Sequence, residues 1–352
     1  MKIDDKTSHN SPSLRFPEFT GEWEKCKIED ITDAVSSGKS KNHFSNGEYN
    51  LYGSTGIIGR TDKALYDGKL VLVARVGANA GFLQIINEPC GITDNTLILK
   101  PKGIDAFYLY YFLQHFNLNR LIFGSGQPLI TGGMLKKVKV SLGTISEQSK
   151  IVKFLSLLDE RIATQVRLID RLQSLMIGIA QKIAHSNKPN VRISDCLECS
   201  SSALQESEVN KTGKYPVYGA NGIVGYIDKY HTQNEAIYII KDGSGVGGVS
   251  YVTGKCSSTG TLNILQAKNG HSLKYLYYLL KVFNFVPYKT GMAIPHIYFK
   301  DYGKAKIFCP AYPEQLEYAK LLSSIDGNLR IALDSLKNFN LQKQYLLRHM
   351  LI

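Results

Sequence analysis

No stretch of this chain approaches the roughly 20 consecutive apolar residues that a membrane-crossing helix needs, which argues against an integral helical membrane protein. The polar, acidic opening Met1-Lys2-Ile3-Asp4-Asp5-Lys6 is unlike a secretory leader, so a cytoplasmic location is expected. Cysteine is sparse, and only Cys196-Leu197-Glu198-Cys199 of the six has metal-like spacing. A zinc site needs a second ligand pair, none lies nearby, and the eight histidines show no His-x-x-x-His spacing, so no metal is assigned. There is no Pro-Pro, which excludes the Asp/Asn-Pro-Pro-aromatic tetrad of adenine methyltransferases. The glycine run Lys241-Asp242-Gly243-Ser244-Gly245-Val246-Gly247-Gly248 lacks a closing Gly-Lys-Ser/Thr and is not read as a nucleotide loop. No catalytic residue is assigned.

What the chain has instead is duplication. Tyr52-Gly53-Ser54-Thr55-Gly56-Ile57-Ile58-Gly59 returns as Tyr218-Gly219-Ala220-Asn221-Gly222-Ile223-Val224-Gly225, and Tyr108-Leu109-Tyr110-Tyr111 returns as Tyr275-Leu276-Tyr277-Tyr278. Glu147-Gln148 returns as Glu314-Gln315, all at offsets of 166 or 167. One scaffold used twice with different surface chemistry suggests two-headed recognition. At 352 residues and 43% apolar content the chain can bury two cores. Its net charge of +12 is shared, with 23 basic against 18 acidic residues in 1–185 and 19 against 12 in 186–352. An excess in both halves fits a surface that neutralises phosphates.

The organisation reads as globular, helical, globular, helical, with expected bounds 1–143, 144–185, 186–310 and 311–352. Leu70-Val71-Leu72-Val73-Ala74 and Ala236-Ile237-Tyr238-Ile239-Ile240 read as strands among glycine-rich turns. Thr144-Ile145-Ser146-Glu147 fits a capping box opening a long helix. The seam of that helix, Leu158, Ile162, Gln165, Ile169, Leu172, Met176, Ile179 and Ile183, alternates four and three. The second helix repeats it as Ile325, Leu329, Ala332, Leu336, Phe339, Lys343, Leu346 and Met350. A single apolar seam must be buried, so the two helices are expected to pair antiparallel as a rigid coiled-coil spacer. Linkers of flexible type are Gly/Ser-rich or Pro-rich and lack heptads.

These landmarks carry a family resemblance. Leu14-Arg15-Phe16-Pro17-Glu18-Phe19-Thr20-Gly21-Glu22-Trp23, the two Tyr-Gly-x-x-Gly-Ile-x-Gly segments, Gly124-Ser125-Gly126-Gln127-Pro128-Leu129-Ile130, and Ile145-Ser146-Glu147-Gln148 with Leu158-Asp159-Glu160-Arg161-Ile162 resemble the DNA specificity subunit of bacterial type I restriction-modification enzymes. The resemblance implies an α+β chain in which two pseudo-twofold-related mixed α/β target recognition domains are separated by two long antiparallel coiled-coil helices. It further implies a bipartite target in double-stranded DNA, two methyltransferase (modification) subunits docked on the helices, and motor-nuclease (restriction) subunits. S-adenosylmethionine, ATP and Mg would sit on those partners, with no cofactor on this chain. The alternatives are a stand-alone DNA-binding or coiled-coil adaptor protein and, further off, a nuclease.

Base readout needs donors and acceptors on exposed loops. In the first half Lys39, Lys41, Asn42, Arg60, Arg75, Asn79 and Gln127 qualify, and in the second Asn221, Lys229, Lys241, Ser244, Lys255, Lys289 and His296. The runs after Arg75 and Lys241 read either as tight strand-to-strand turns or as glycine turns letting backbone amides approach phosphates. Gly291-Met292-Ala293-Ile294-Pro295-His296-Ile297 stands where Gly126-Gln127-Pro128-Leu129-Ile130 stands, which aligns Met292 with Gln127 and suggests different subtypes of domain. The tyrosine clusters at 108–111 and 275–278 read as core helix.

Overall fold

A computed structural model describes residues 11–41, 46–122 and 128–352. Asn42 and Gln127 lie outside the described residues. The chain divides into two compact units, Met1–Gln165 with Ser335–Ile352, and Val166–Asp334.

The first repeat runs β1 (Glu24–Lys27), β2 (Thr32–Ser37), β3 (Tyr49–Gly53), β4 (Gly56–Thr61), β5 (Lys69–Ala74), β6 (Leu83–Asn87), β7 (Cys90–Ile92), β8 (Thr96–Pro101), α1 (Ala106–Phe116), α2 (Gly132–Lys136), β9 (Lys139–Leu142) and α3 (Ile145–His185). The second runs β10 (Val191–Arg192), α4 (Ile193–Cys196), β11 (Leu197–Ser201), β12 (Tyr215–Gly219), β13 (Gly222–Ile227), β14 (Glu235–Ile240), β15 (Val249–Thr253), β16 (Ser257–Ser258), β17 (Leu262–Ala267), α5 (Leu273–Val282), α6 (Phe299–Tyr302), β18 (Lys306–Ile307) and α7 (Tyr312–Met350). The sheet orders match: β2-β8-β5-β6 recurs as β11-β17-β14-β15, β4-β3-β7 as β13-β12-β16, and β1-β9 as β10-β18.

The apolar run of β5 follows from its position between β8 and β6, where both of its faces are covered. Alternate residues face opposite ways along a strand. Val71 and Val73 therefore pack with Leu109 and Phe112 of α1, while Leu70 and Leu72 pack with Cys90 and Ile92 of β7. The tyrosine clusters are core, as their spacing implies: Tyr108, Tyr111, Tyr275, Tyr277 and Tyr278 are buried. Tyr108 donates to the Ser141 carbonyl at 3.0 Å and Tyr275 to that of Phe308 at 2.9 Å, the same bond in each repeat.

The two long helices run Ile145–His185 and Tyr312–Met350, each shared between the two compact units, and Pro313 lies in the first turn of α7. Every seam position is buried or half-buried, while Leu157, Leu168, Leu175, Leu333 and Leu341 beside the seam are exposed. In the first unit the pairing is antiparallel: Ile151, Leu155 and Leu158 of α3 share a cluster with Leu346, Leu347, Met350 and Leu351, and Ile162 and Phe339 pack at its edge. Polar Lys343 has a partner in its seam, since its Nζ lies 2.6 Å from Asp159 Oδ1. In the second unit α3 buries Ile169, Met176 and Ile183, and α7 buries Ile325, Leu329 and Ala332.

The repeated Glu-Gln divides its labour. Gln148 Oε1 accepts from the Asp105 amide at 3.2 Å and its Nε2 donates to Gly143. Gln315 repeats this with Ser272 and Pro310, so each glutamine pins the start of a long helix to the entry of the shorter one. The capping box is only half made. Thr144 Oγ1 accepts from the Glu147 amide, but the Glu147 carboxylate turns away to Arg15, at 2.6 and 2.8 Å, and to Trp23 Nε1 at 3.0 Å. That carboxylate is fully buried, and its hydrogen bond to Arg15 raises the guanidinium pKa further. Glu147→Ala removes the buried carboxylate that half-buried Arg15 and buried Trp23 share and should cost about 1–3 kcal/mol. A urea melt checks this, with Glu147→Gln expected to cost less because it retains an acceptor for Trp23.

Candidate nucleic-acid interface

The two glycine turns are built alike. In the first unit the turn leaves β5 at Arg75 and re-enters at β6, and β5 and β6 pair antiparallel, so this is a strand-to-strand turn. Gly77 takes φ 79°, which glycine adopts at little cost. Its amide donates to the Pro128 carbonyl, and the Ile130 amide donates back to the Arg75 carbonyl at 2.9 Å. In the second unit Gly243, at φ 94°, donates to Pro295, and the Ile297 amide returns to Lys241 at 2.9 Å. Each turn is thus clasped by a later loop, and each clasp carries one cation, Arg75 or Lys241.

These bonds correct the alignment drawn from sequence. They pair Pro128 with Pro295, which puts Ile294 rather than Met292 in the place of Gln127 along the chain. The second loop is longer between its glycine and its proline, and Met292 and Ile294 stand exposed at its tip.

The structure gathers some of the expected readers and leaves others apart. Lys39 and Lys41 line a cleft of about 490 Å³ together with Ser40, Asp62 and Lys63, of which sequence reasoning missed Lys63. Arg60, on β4 beside that cleft, spends its guanidinium on the Gly47 and Glu48 carbonyls at 2.6 and 2.7 Å, so it braces a loop. Asn79 lies in the turn with Arg75, exposed, beside a second cleft bordered by Gln114, Asn117 and Asn119. Arg75 Nε is shielded from solvent and has no hydrogen-bond partner among the described residues.

In the second unit Lys241, Ser244 and His296 share the clasp, with Lys289 next to Thr290 at its base, and Asp242 forms a β-bridge with His296. Lys241 Nζ is 4.0 Å from Asp242, and His296 Nδ1 is 3.1 Å from the Ile294 carbonyl. Lys255 lies 4.9 Å from the Tyr230 ring centre, and the neighbouring Lys229 carbonyl accepts from Ser257. Asn221 occupies the two-residue turn between β12 and β13 and is exposed.

The tyrosine of the repeated Tyr-Gly motif is anchored rather than free in the first unit. The Tyr52 hydroxyl donates to Glu88 at 2.6 Å, and burial with that bond pushes it up to about 12. Bonds from Asn50 and Tyr52 hold the Glu88 carboxyl below the usual range, so the pair stays donor and carboxylate at neutral pH.

The model of the type I restriction modification DNA specificity domain matches this chain twice, at residues 20–174 and 186–338. The chain belongs to that family. Each match covers one of the two repeats, so the family's domain accounts for the duplication. Among curated relatives, a putative type I restriction enzyme specificity subunit of Haemophilus influenzae is 25% identical over 123 residues, covering 34% of this chain and 32% of that protein. The EcoprrI specificity subunit of Escherichia coli is 26% identical over 127 residues, covering 36% of this chain and 31% of that one. The stretches matched thus span about a third of each relative. The fold is that of the Mycoplasma genitalium type I restriction-modification S subunit, whose crystal structure superposes with TM-score 0.73 at 20% identity over 97% of this chain and 99% of that one. A chain from a structure on complex assembly and conformational transition of the type I R-M system matches with TM-score 0.55 at 12% identity, over 94% of this chain and 97% of that one. Among the described residues no helix is long and apolar enough to cross a membrane.

Proposed function

We propose that this chain is the DNA specificity subunit of a type I restriction-modification complex, reading a bipartite site in double-stranded DNA through its two repeats and performing no catalysis itself. The observation that carries the reading is the clasped glycine turn, present once in each repeat with a cation on its rim, in a chain matched twice by the specificity-domain family. Phosphate neutralisation is the natural use of the basic excess of both halves. Arg75, half-buried on the rim of its turn, suits a phosphate oxygen or base edge brought to it. Asn79, Lys39, Lys41 and Lys63 in the first unit, and Ser244, Lys289 and His296 in the second, supply the surrounding donors. Arg60, held by backbone carbonyls, serves as a brace.

The paired helices offer the docking surface for two methyltransferase subunits. In the first unit a groove of about 720 Å³ on α3 and α7 presents exposed Phe154 and Leu157 with Phe339, bordered by polar Glu160, Arg161, Thr164 and Gln342. S-adenosylmethionine, ATP and Mg belong to the methyltransferase and motor-nuclease partners in this reading, and the assembly works in the cytoplasm.

Binding is tested by gel shift of the chain with its methyltransferase subunits at two salt concentrations. Affinity should fall steeply with salt. Arg75→Ala or Lys241→Ala should each weaken binding by about 1–3 kcal/mol if the residue reads a base, or weaken it on all sequences and reduce the salt slope by about 1 if it holds a phosphate. Methyl transfer by the chain alone would overturn the reading.

A further inference from the structure

The one Cys-x-x-Cys of the chain does not act as a pair, because folding gives Cys196 other neighbours. Cys199 lies on β11 with its thiol against the Ser200 carbonyl at 3.7 Å. Cys196, at the end of α4, instead meets Cys309, just past β18, and His271, just before the cap of α5. One ligand atom from each of Cys196, His271 and Cys309 lies within 4.8 Å of the other two. Both thiols are buried, and His271 Nδ1 is shielded from solvent without a hydrogen-bond partner among the described residues.

The first repeat shows what this place in the scaffold is otherwise used for. The Lys268 amide donates to the Cys196 carbonyl as the Lys102 amide donates to Ile31, so Cys196 stands for Ile31. His271 precedes Ser272, whose amide donates to Gln315, as Ile104 precedes Asp105, whose amide donates to Gln148. Cys309 follows Phe308, which accepts from Tyr275, as Leu142 follows Ser141, which accepts from Tyr108. Ile31, Ile104 and Leu142 belong to one hydrophobic cluster. The scaffold therefore accepts an apolar trio here, yet the second repeat replaces all three members with two thiols and an imidazole.

We propose that Cys196, His271 and Cys309 form a zinc site, with two thiolates, one imidazole and a fourth position left to water. Zinc prefers tetrahedral sulfur and nitrogen ligands, at about 2.3 Å for sulfur and about 2.0–2.1 Å for nitrogen. Those lengths place tetrahedral ligand atoms about 3.5–3.8 Å apart, so a trio whose atoms already lie within 4.8 Å of one another closes on the ion by a contraction of at most about 1.3 Å. A cation also resolves the unpaired Nδ1. Bound there, the ion ties the start of α5, the end of α4 and the approach to α7, the three segments that the first repeat joins by apolar packing.

The untagged full chain, reduced and stripped with chelator, is titrated with Zn²⁺ and separately with Co²⁺. One equivalent should bind, Co²⁺ should give thiolate charge-transfer and tetrahedral d–d absorption, and Zn²⁺ should raise the unfolding temperature. Cys196→Ser, His271→Leu and Cys309→Ser should each weaken uptake. The triple variant Cys196→Ile, His271→Ile, Cys309→Leu restores the residues of the first repeat and should fold without responding to Zn²⁺, which separates loss of metal from loss of fold. The proposal is overturned if the reduced chain takes up no Zn²⁺, if the triple variant takes up as much as the parent, or if the two thiols prove to be a disulfide and bind no ion after reduction.

Discussion

Exchanging residues 24–142 for the matching segment of a relative should replace one half of the recognised DNA sequence and leave the other half unchanged. The cut points suit such an exchange because Glu24 and Leu142 face one another across the β1–β9 ladder, so the excised piece begins and ends at adjacent backbone positions. Arg75, Asn79 and the cleft with Lys39, Lys41 and Lys63 all leave with it. The donor must supply tyrosines at the positions of Tyr108 and Tyr111, whose rings complete the cluster with α3 and α7. Tyr111 also donates to Asp159 at 2.8 Å, a bond that would otherwise be lost. The matching exchange in the second repeat is 191–307, bounded by the Val191–Ile307 pair. Mapping methylated adenines in a host that carries each hybrid gives the result. If both halves of the methylated motif change with a single exchange, the repeats do not read separately and the proposed function falls.

What was legible beforehand was whatever repeats or has a period. The seams of α3 and α7 could be read because burial on one face of a helix writes a period into the sequence, and every seam position is buried or half-buried. The buried strands were legible instead as continuous apolar runs, because both of their faces are covered, and the tyrosine helices by the spacing of their rings. Bonds between residues far apart in sequence were not. Glu147 stands where a capping box wants it, and only folding brings Arg15 and Trp23 to its carboxylate. The Pro128 and Pro295 equivalence was hidden by a loop of different length, and a gap of two residues is decided by backbone bonds rather than by side-chain likeness. Among the candidate readers, residue type could name Arg60 and Arg75 together but could not tell that Arg60 spends its donors on the Gly47 and Glu48 carbonyls. Spacing along the chain singles out Cys196 with Cys199 and offers no second ligand pair, whereas Cys309 and His271 reach Cys196 from other elements.

Leu155→Asp should destroy the first unit, whereas Leu157→Asp, two residues on, should leave it folded and weaken assembly. Leu155 is fully buried among Trp23, Tyr108, Tyr111, Ile151, Leu346, Leu347 and Met350. Truncating a buried leucine alone costs about 2–5 kcal/mol. An unpaired carboxylate placed there adds a desolvation penalty of at least a few kcal/mol more. The total rivals the roughly 5–15 kcal/mol that holds a typical domain together. Leu157 is 52% exposed on the groove beside Phe154 and Phe339, where an aspartate meets water and costs about 0.5 kcal/mol or less. Because the chain holds two units, unfolding should be followed by a local probe as well as by temperature. Trp23, the only tryptophan and a member of the affected cluster, reports the first unit by fluorescence. For Leu155→Asp the native Trp23 signal should be absent at temperatures where the second unit still resists proteolysis. For Leu157→Asp it should be unchanged, while co-purification with the methyltransferase subunits falls. A Leu157→Asp chain that assembles normally would show that the groove is not the docking surface, and a Leu155→Asp chain with an unaltered melt would show that the α3–α7 cluster does not hold the unit together.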